Sequence, residues 1–419
     1  MKGIAARMAS RRSLLIGAAA GLLPAFALRA QPAAPGTGAG PEFPLLVGKG
    51  AIKRTFAPAS SPLGPIGTEA RWAYIIDYNT GAVLLEKNST APMPPSSMTK
   101  LMTLYIVYSL LKSGQLSLDQ TLPVSREAWR TGGSKMFVPL GGNVSVADLI
   151  QGIEVDSGND ACIVLAQGIS GSVDAFVERM NETASKLGLV NSHFINPTGL
   201  PAPGHYMCCQ DIATLARLII SNFPRYYHYA SEKVFTFSKI KQYNRNPLVQ
   251  DGLADGLKTG FTDAGGYGLC ASAIRDGRRV ILVLNGMPSE SDRAEESQRL
   301  LDWSFTEFTD VTLFKAGETV ATARVWLGKS ITVPLAGATD LVATLPREWR
   351  QTAHISARYA APIPAPITAG QTLGTLSVSG RGVPAGQQFT LVAGAAVPRL
   401  SLVERSLAVL FHMVFGGVG

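Results

Sequence analysis

The chain has few cysteines and few charged residues, and it lacks residue spacings typical of a metal site. Its 419 residues include four cysteines, Cys162, Cys208, Cys209 and Cys270, and only 16% are Asp, Glu, Lys or Arg. Adjacent cysteines rarely bridge to each other, so we interpret the thiols as mostly free and buried. A disulfide between Cys270 and one of the adjacent pair is the alternative. The sequence predicts no metal and no cofactor.

Positive charge is in excess but is concentrated nowhere. The 38 Lys and Arg residues outnumber the 30 Asp and Glu residues, for a net charge of +8, yet they form no stripe and accompany no nucleic-acid motif. This argues against a nucleic-acid partner and favours an anionic membrane or envelope surface. The five histidines lie near no serine-and-acid pattern, so a Ser-His-Asp triad has little support.

The first 30 residues have the layout of a secretory signal peptide. A basic start precedes an apolar stretch (14–23) and small residues that fit cleavage after Ala27 or Ala30. The pair Arg11-Arg12 before Ser-Leu-Leu resembles a twin-arginine signal, and a Sec signal is the alternative. We therefore expect bacterial export, with the protein at the periplasmic face of the cytoplasmic membrane.

Residues 31–70 are rich in Pro, Gly and Ala and predict a flexible linker, so that order begins near Arg71. Two alternating apolar runs around Asn79-Thr80-Gly81 then predict a β-hairpin, and a second strand pair is predicted around Arg275-Asp276-Gly277. Helical periodicity covers residues 97–112, 145–170, 172–188, 210–222 and 291–308. Residues 71–310 are thus expected to form an α+β domain, with an antiparallel sheet flanked by helices.

The last hundred residues have a different pattern of predicted secondary structure. Residues 311–396 consist of short β-rich runs broken by Gly and Pro, which predicts a small all-β domain. Residues 397–419 predict an amphipathic helix, whose polar stripe contains Ser401, Glu404 and His412. It is barely long enough to cross a bilayer, so we expect it to lie in the membrane interface. A helix packed on the β domain is the alternative.

Ser97 stands three residues before Lys100 at the head of an apolar run that must be buried. Burying a lysine there costs free energy, so its presence indicates a functional role for the amine. Positions i and i+3 share a helix face, so the hydroxyl and the amine can meet. Burial can lower the pKa of a lysine enough for it to activate a serine. This S-x-x-K pattern is weak alone, because it recurs at Ser109–Lys112 and Ser238–Lys241.

Two further motifs strengthen the interpretation of Ser97 and Lys100 as catalytic residues. The only S-x-N of the chain, Ser157-Gly158-Asn159, falls in a polar break between two apolar helical stretches. The only K-T-G, Lys258-Thr259-Gly260, directly precedes a predicted strand. Gly260 would let a substrate backbone approach closely, as in strand addition to a sheet edge.

In this order, S-x-x-K, S-x-N and K-T-G form the signature of penicillin-binding proteins and class A β-lactamases. The chain resembles the low-molecular-mass penicillin-binding proteins, which are serine-type D-alanyl-D-alanine carboxypeptidases of peptidase family S11. The stretches "PPSSMTK", "GIEVDSGNDACIVLA", "NRNPL" and "DGLKTGFTDAGGYGLCASA" carry this resemblance. It extends over roughly residues 70 to 415, including the β domain and the tail that β-lactamases lack.

The resemblance implies a role for each motif residue. Ser97 would be the acylated nucleophile and Lys100 its general base. Ser157, helped by Lys258, would relay a proton to the leaving D-alanine, while Asn159 would hold a substrate amide and orient Lys100.

It also implies how the substrate is bound. The backbone amides of Ser97 and Phe261 would form the oxyanion hole. Thr259 and Arg293 would bind the free C-terminal carboxylate, with Arg245 supporting that pocket. From the residues alone, Arg293 is expected to be an exposed helix residue pairing with Glu296 or Asp292.

One departure from the family pattern concerns residues 207–209. Met207, Cys208 and Cys209 stand where the family usually has small hydroxyl residues. We expect this difference to change how side chains pack behind the active site and to leave its catalytic groups unchanged.

The predicted function is removal of the terminal D-alanine from peptidoglycan stem pentapeptides through an acyl-enzyme. β-Lactam antibiotics should acylate the same serine, and the tail should bind the inner membrane surface. The alternatives are a D,D-endopeptidase or a β-lactamase on the same catalytic core, or a wall-binding scaffold without turnover.

Overall fold

The structure, a computed structural model, describes residues 58–415, which form two domains and a final helix. The predicted signal peptide (1–30) and the linker up to residue 57 lie outside the described residues, as do residues 416–419.

The secondary structure of the first domain follows the chain order. Its strands are β1 (Pro58–Ala59), β2 (Ile66–Gly67), β3 (Trp72–Asp77), β4 (Val83–Lys87), β5 (Thr121–Pro123), β6 (Asn143–Ser145), β7 (Val234–Phe237), β8 (Ile240–Tyr243), β9 (Gly256–Thr262), β10 (Gly266–Arg275) and β11 (Arg278–Met287). Its helices are α1 (Lys100–Lys112), α2 (Arg126–Arg130), α3 (Val146–Glu154), α4 (Asn159–Ser170), α5 (Val173–Leu187), α6 (Cys209–Asn222), α7 (Pro224–Tyr227), α8 (Pro247–Gln250) and α9 (Glu290–Glu307). Two 3₁₀ turns cover Ser96–Thr99 and His228–Ser231.

A five-stranded antiparallel sheet in the order β4–β3–β11–β10–β9 forms the centre of this domain. Successive residues of a strand point to opposite faces. Ile281 of β11 accordingly packs in the core that contains α1 and α6, whereas Leu282 packs against Leu300 and Leu301 of α9. The predicted antiparallel sheet flanked by helices is therefore confirmed, and β9 is its edge strand.

Both predicted hairpins are present. β3 and β4 flank the turn at Asn79-Thr80-Gly81, and Gly81 has the positive φ of +74° that such turns favour. β10 and β11 are joined by Asp276 and Gly277, both with positive φ, as a two-residue turn requires.

The folded chain begins earlier than predicted. Residues 58–70 do not behave as a tether, because β1 pairs with β2 and the backbones of Ser60 and Glu86 exchange hydrogen bonds of 2.8 and 2.9 Å. The ammonium of Lys87 donates to the carbonyls of Thr68 and Ala70. A Pro- and Gly-rich segment can thus be fixed by its backbone groups, which composition does not reveal.

The second domain is built from strands, as predicted, with one short helix. Its strands are β12 (Phe308–Phe314), β13 (Thr319–Trp326), β14 (Thr332–Ala336), β15 (Leu341–Pro346), β16 (Ala353–Tyr359), β17 (Ile363–Pro364), β18 (Thr372–Gly380) and β19 (Gln388–Ala393), and the helix is α10 (Trp349–Thr352). β12 pairs with β15, and a six-stranded sheet has the order β16–β18–β19–β14–β13–β17. The two domains meet where Arg278 and Thr344 each contact Asp310.

The tail forms helix α11 (Leu402–Phe415), which exposes much of its apolar surface. Its exposed apolar side chains are Leu402, Val403, Leu407, Leu410, Phe411 and Met413. No single helix within residues 58–415 is long and apolar enough to span a membrane; only the bent pair α4–α5 passes on length and composition.

Candidate active site

Ser97 lies in the 3₁₀ turn that leads into α1. We predicted an α-helix from Ser97, whereas α1 begins only at Lys100. Ser96 adopts a positive φ of +51°, and its hydroxyl lies 2.9 Å from that of Thr262. A Cβ at Gly199 would lie 1.8 Å from the carbonyl oxygen of Ser96, so only glycine fits there. Packing on both sides therefore holds Ser97 in a tighter turn than local sequence predicts.

Lys100 is buried, and its Nζ has three oxygen neighbours. It lies 2.8 Å from Oγ of Ser97, 2.7 Å from Oδ1 of Asn159 and 2.5 Å from the carbonyl oxygen of Thr198. Burial lowers its pKa to about 8. The oxygens of Asn159 and Thr198 can only accept hydrogen bonds. A neutral amine therefore donates its two N–H groups to them and directs its lone pair at the Ser97 hydroxyl.

Asn159 is fixed by the loop opposite. Its Nδ2 donates a 2.8 Å hydrogen bond to the carbonyl of Gly132. The next residue, Asp160, accepts hydrogen bonds from the backbone N–H groups of Met136, Phe137 and Val138. The start of α4 is thereby tied to residues 132–138.

Ser157 is buried in the break between α3 and α4. Its φ of +59° lies in the left-handed region, which is uncommon for a serine. Within residues 58–415, its Oγ has no hydrogen-bond partner. A strained backbone that presents an unpaired hydroxyl is typical of a functional position.

The edge strand β9 lies directly against the turn that contains Ser97. A Cβ at Gly260 would lie 3.0 Å from Cβ of Ser96 and 3.2 Å from the backbone nitrogen of Ser97. The close approach that requires glycine is therefore to the protein's own turn, not only to a substrate as we expected. Lys258 and Thr259 are buried, whereas Phe261 is half exposed and packs on Tyr267 at 4.2 Å between ring centroids.

Arg293 is buried at the start of α9, with 4% of its side chain exposed. Its Nη2 donates to Oε1 of Glu290 at 2.7 Å and to the carbonyl of Arg245 at 3.4 Å, and its guanidinium lies over Tyr267. The alternative of an exposed residue paired with Glu296 is wrong, because Glu296 pairs with Arg299. Burial lowers the pKa of Arg293.

The three motifs converge. Direct hydrogen bonds join Lys100 to Ser97 and Asn159, and Gly260 of the K-T-G motif packs on the backbone nitrogen of Ser97. Burial, and to a smaller extent the charge of Lys100, lowers the pKa of Lys258 to about 7. The exposed Arg245 lowers the pKa of both lysines. Ser109, the serine of a second S-x-x-K pattern in the same helix, instead donates a hydrogen bond to the carbonyl of Tyr105.

Sequence reasoning missed several groups around the site. The carbonyl of Thr198 leaves no side-chain signal. Two buried carboxyl groups, Glu154 and Asp156, could have been noticed, since acidic residues in an apolar stretch are costly. Burial raises the pKa of each to about 7.

The unusual residues 207–209 are accommodated by packing. Cys208 caps α6, with its Sγ accepting from the N–H of Asp211 at 3.4 Å, and Sγ of Cys209 lies 3.8 Å from Sδ of Met93. All four cysteines are free and buried, so the prediction of free thiols is confirmed and no disulfide reaches Cys270.

A serine hydroxyl beside a buried lysine whose neutral form can accept its proton defines a serine–lysine hydrolase. The peptidase S11 family, described as D-alanyl-D-alanine carboxypeptidase, matches residues 58–289, and the C-terminal domain of penicillin-binding protein 5 matches residues 308–399. The chain belongs to this S11 family of D-alanyl-D-alanine carboxypeptidases.

Individual relatives are similar to this protein over most of its length. The D-alanyl-D-alanine carboxypeptidase DacD of Escherichia coli is 39% identical over 78% of this chain and 87% of the relative, and DacA of the same organism is 36% identical over 82% and 88%. The crystal structure of penicillin binding protein 5 from Haemophilus influenzae aligns with a TM-score of 0.73 at 36% identity, covering 80% of this chain and 99% of that one.

Proposed function

We propose that this protein is an exported serine D,D-carboxypeptidase that removes the terminal D-alanine from peptidoglycan stem pentapeptides. The observation that carries the proposal is the 2.8 Å contact between Nζ of Lys100 and Oγ of Ser97 in a site where burial lowers the lysine pKa to about 8. The names of the relatives support the substrate class.

In the acylation step, Lys100 takes the proton of the Ser97 hydroxyl while Oγ attacks the carbonyl carbon of the penultimate D-alanine. The carbonyl oxygen becomes an oxyanion and is stabilised by the N–H groups of Ser97 and Phe261. The tight packing of Gly260 on the Ser97 turn supports this pairing, since it brings β9 next to the backbone nitrogen of Ser97.

The tetrahedral intermediate then collapses, and the bond from carbon to the leaving nitrogen breaks. The amine of the departing D-alanine takes the proton of the Ser157 hydroxyl, and Ser157 takes a proton from Lys258 in turn. The proton that Lys100 gained from Ser97 passes to Lys258, so Lys100 is neutral again before the next step. Water subsequently attacks the ester of Ser97, with Lys100 as base, and frees the enzyme. The unpaired, buried hydroxyl of Ser157 supports a relay role.

Thr259 and Arg293 bind the free carboxylate of the terminal D-alanine, with Arg245 at the rim. Support comes from the Nε of Arg293, which is buried without a hydrogen-bond partner in the described part of the chain. A guanidinium with an unused donor is suited to a carboxylate. Only a substrate whose leaving residue is the last of the chain supplies a free carboxylate at this position, which accounts for carboxypeptidase specificity.

The test is release of D-alanine from a pentapeptide ending in D-Ala-D-Ala. We expect wild-type protein to release one D-alanine per peptide and the Ser97→Ala protein to release none. A cross-linked peptide dimer and a penicillin, assayed in parallel, separate this function from an endopeptidase and a β-lactamase. Faster turnover of either one than of the pentapeptide would contradict the proposal.

We further propose that β-lactam antibiotics acylate Ser97 and that α11 attaches the protein to the periplasmic face of the cytoplasmic membrane. The exposed apolar side chains of α11, among them Leu407, Leu410 and Phe411, support interfacial binding. The net charge of +8 favours an anionic lipid surface.

A further inference from the structure

Residues 194–205 form a loop that supplies the carbonyl of Thr198 to the amine of Lys100. This carbonyl must stay within hydrogen-bond distance of Nζ if the amine is to keep its lone pair directed at Ser97. The hydroxyl of Thr103 donates a 2.8 Å hydrogen bond to the carbonyl of Pro197 and fixes one point of the loop. A second attachment, to the turn that precedes Lys100, is made by a buried histidine.

That histidine is His205, which ends the 194–205 loop and has 5% of its surface exposed. Its Nδ1 accepts a 3.1 Å hydrogen bond from the backbone N–H of Ile195, at the other end of the loop. Its Nε2 lies 2.9 Å from Oγ1 of Thr99, the residue directly before Lys100. One ring nitrogen therefore closes the loop, and the other joins the loop to the turn.

The contacts of the imidazole define its protonation state. A backbone N–H group can only donate, so Nδ1 of His205 carries no proton and the neutral ring has its proton on Nε2. The Nε2–H group therefore donates to the hydroxyl of Thr99. Burial, with smaller contributions from His193 and Lys100, lowers the pKa of His205 to about 4, which keeps the ring neutral near pH 7.

The surroundings of His205 hold this arrangement in place. Thr99 ends the 3₁₀ turn that begins at Ser96, and it is fully buried. A Cβ at Gly199 would lie 2.9 Å from Oγ1 of Thr99, so the loop also packs on the hydroxyl that His205 contacts. The ring of Phe194 lies edge-on to the imidazole at 5.9 Å between centroids, which limits rotation of the histidine ring.

We infer that His205 is a positioning residue for the reaction at Ser97: its imidazole links the 194–205 loop to Thr99 and so holds the carbonyl of Thr198 on the amine of Lys100. The inference rests on the proposed function, because it takes Lys100 as the base. Without this link the carbonyl can move away from Nζ, and the amine then loses one of the acceptors that direct its lone pair. A displacement of about 1 Å in such an arrangement can cost about 100-fold in rate.

The test is D-alanine release from a pentapeptide ending in D-Ala-D-Ala, with kcat and KM measured separately on folded, full-length variants. His205→Asn places an amide oxygen near the position of Nδ1 and can accept from Ile195, but its side chain is too short to reach Thr99. We expect kcat to fall about tenfold or more, because the base is misplaced. KM should stay within about twofold of wild type, because the pocket for the substrate carboxylate is unchanged.

His205→Gln is the rescue variant. Its longer side chain can place an amide N–H group where Nε2–H lies in wild type, so donation to Thr99 is kept. We expect kcat within about threefold of wild type, since only the weaker contact with Ile195 is altered. The matched control is His193→Asn, the same substitution at an exposed histidine whose Nδ1 lies 2.9 Å from the carbonyl oxygen of Gly204. Its kcat and KM should equal those of wild type.

Thr99→Val tests the same hydrogen bond from its other end, and it replaces His205→Asn if that variant does not fold. Valine has nearly the shape of threonine but no hydroxyl to accept the bond. We expect a loss of kcat similar to that of His205→Asn. The double variant should lose no more than either single one, because both substitutions remove the same link.

The outcomes separate the inference from the proposed function. A folded His205→Asn protein with the kcat of wild type overturns the role of His205. So does a His205→Gln protein that loses as much activity as His205→Asn, or a double variant in which the two losses multiply. In these cases wild-type protein still releases D-alanine, and the proposed function stands. Absence of D-alanine release by wild-type protein overturns the function, and the inference with it.

Discussion

The amide oxygen of Asn159 lies 2.7 Å from Nζ of Lys100, although the two residues are 59 positions apart in the chain. This contact occupies one N–H group of the lysine, and the carbonyl of Thr198 occupies another. The remaining position of the nitrogen faces Oγ of Ser97. Asn159 is therefore placed to orient the amine of Lys100, the proposed base, and because Asn159 is neutral it does not raise the pKa of that lysine.

Replacing this neutral partner by a carboxylate tests the protonation state of the base. In Asn159→Asp the new charge favours the ammonium form of Lys100, so the lysine pKa should rise by about one to three units. The acid limb of penicillin acylation, expected near pH 8 in wild type, should move to higher pH, and the rate at pH 7 should fall about tenfold or more. Asn159→Ala is the control: it removes the hydrogen bond without adding charge and should lower the rate without that displacement.

Arg293 is predicted to recognise the substrate carboxylate. Arg293→Gln should lower kcat/KM for a D-Ala-D-Ala peptide about 10- to 100-fold, because a charge-assisted hydrogen bond is lost. Arg299→Gln provides the comparison: it lies on the same helix and pairs with a glutamate three residues away, but half of its side chain is exposed. Equal losses in the two variants would exclude a specific role for Arg293.

Asp156 is predicted to cost stability as the pH rises. Neither of its oxygens has a hydrogen-bond partner within residues 58–415, and burial raises its pKa from 3.8 to about 7. A raised folded-state pKa means that stability is lost as pH increases through this range. Asp156→Asn should therefore raise Tm relative to wild type more at pH 8 than at pH 4. The exposed Asp251→Asn should show no such trend, and a gain independent of pH would argue against ionisation as the cause.

The tail is predicted to bind membranes through its exposed apolar face. Deletion of residues 398–419 should move the protein from the membrane to the soluble fraction, as should Leu410→Glu combined with Phe411→Glu. The charge-neutral exposed variant Ser406→Asn should remain with the membrane. Unchanged fractionation of the deleted protein would show that α11 is not an anchor.

Much of the fold and of the site could be predicted from the sequence, because the sequence patterns involved are local or are specific to one kind of chemistry. The hairpin at Asn79-Thr80-Gly81 follows from turn chemistry, and the pairing of Ser97 with Lys100 follows from their spacing. That Ser157, Asn159 and Lys258 reach the same site rested on the family resemblance, since no spacing encodes contacts between distant segments.

Other features could not be read from the chain because they depend on tertiary packing. The 3₁₀ turn at Ser97 arises from close contacts of Gly199 and Gly260 with Ser96. The order of residues 58–70 arises from backbone pairing with Glu86. Arg293 has the sequence context of an exposed helix residue, and only the fold buries it, with its guanidinium over the ring of Tyr267.

The central claim is that Ser97 is the nucleophile, and intact-protein mass spectrometry after penicillin treatment tests it most directly. Wild-type protein should gain the mass of one penicillin, with the adduct on the peptide that contains Ser97. Ser109→Ala, which changes the S-x-x-K decoy in the same helix, should still gain it, and Ser97→Ala should not. A covalent adduct of undiminished yield on the Ser97→Ala protein would contradict the account.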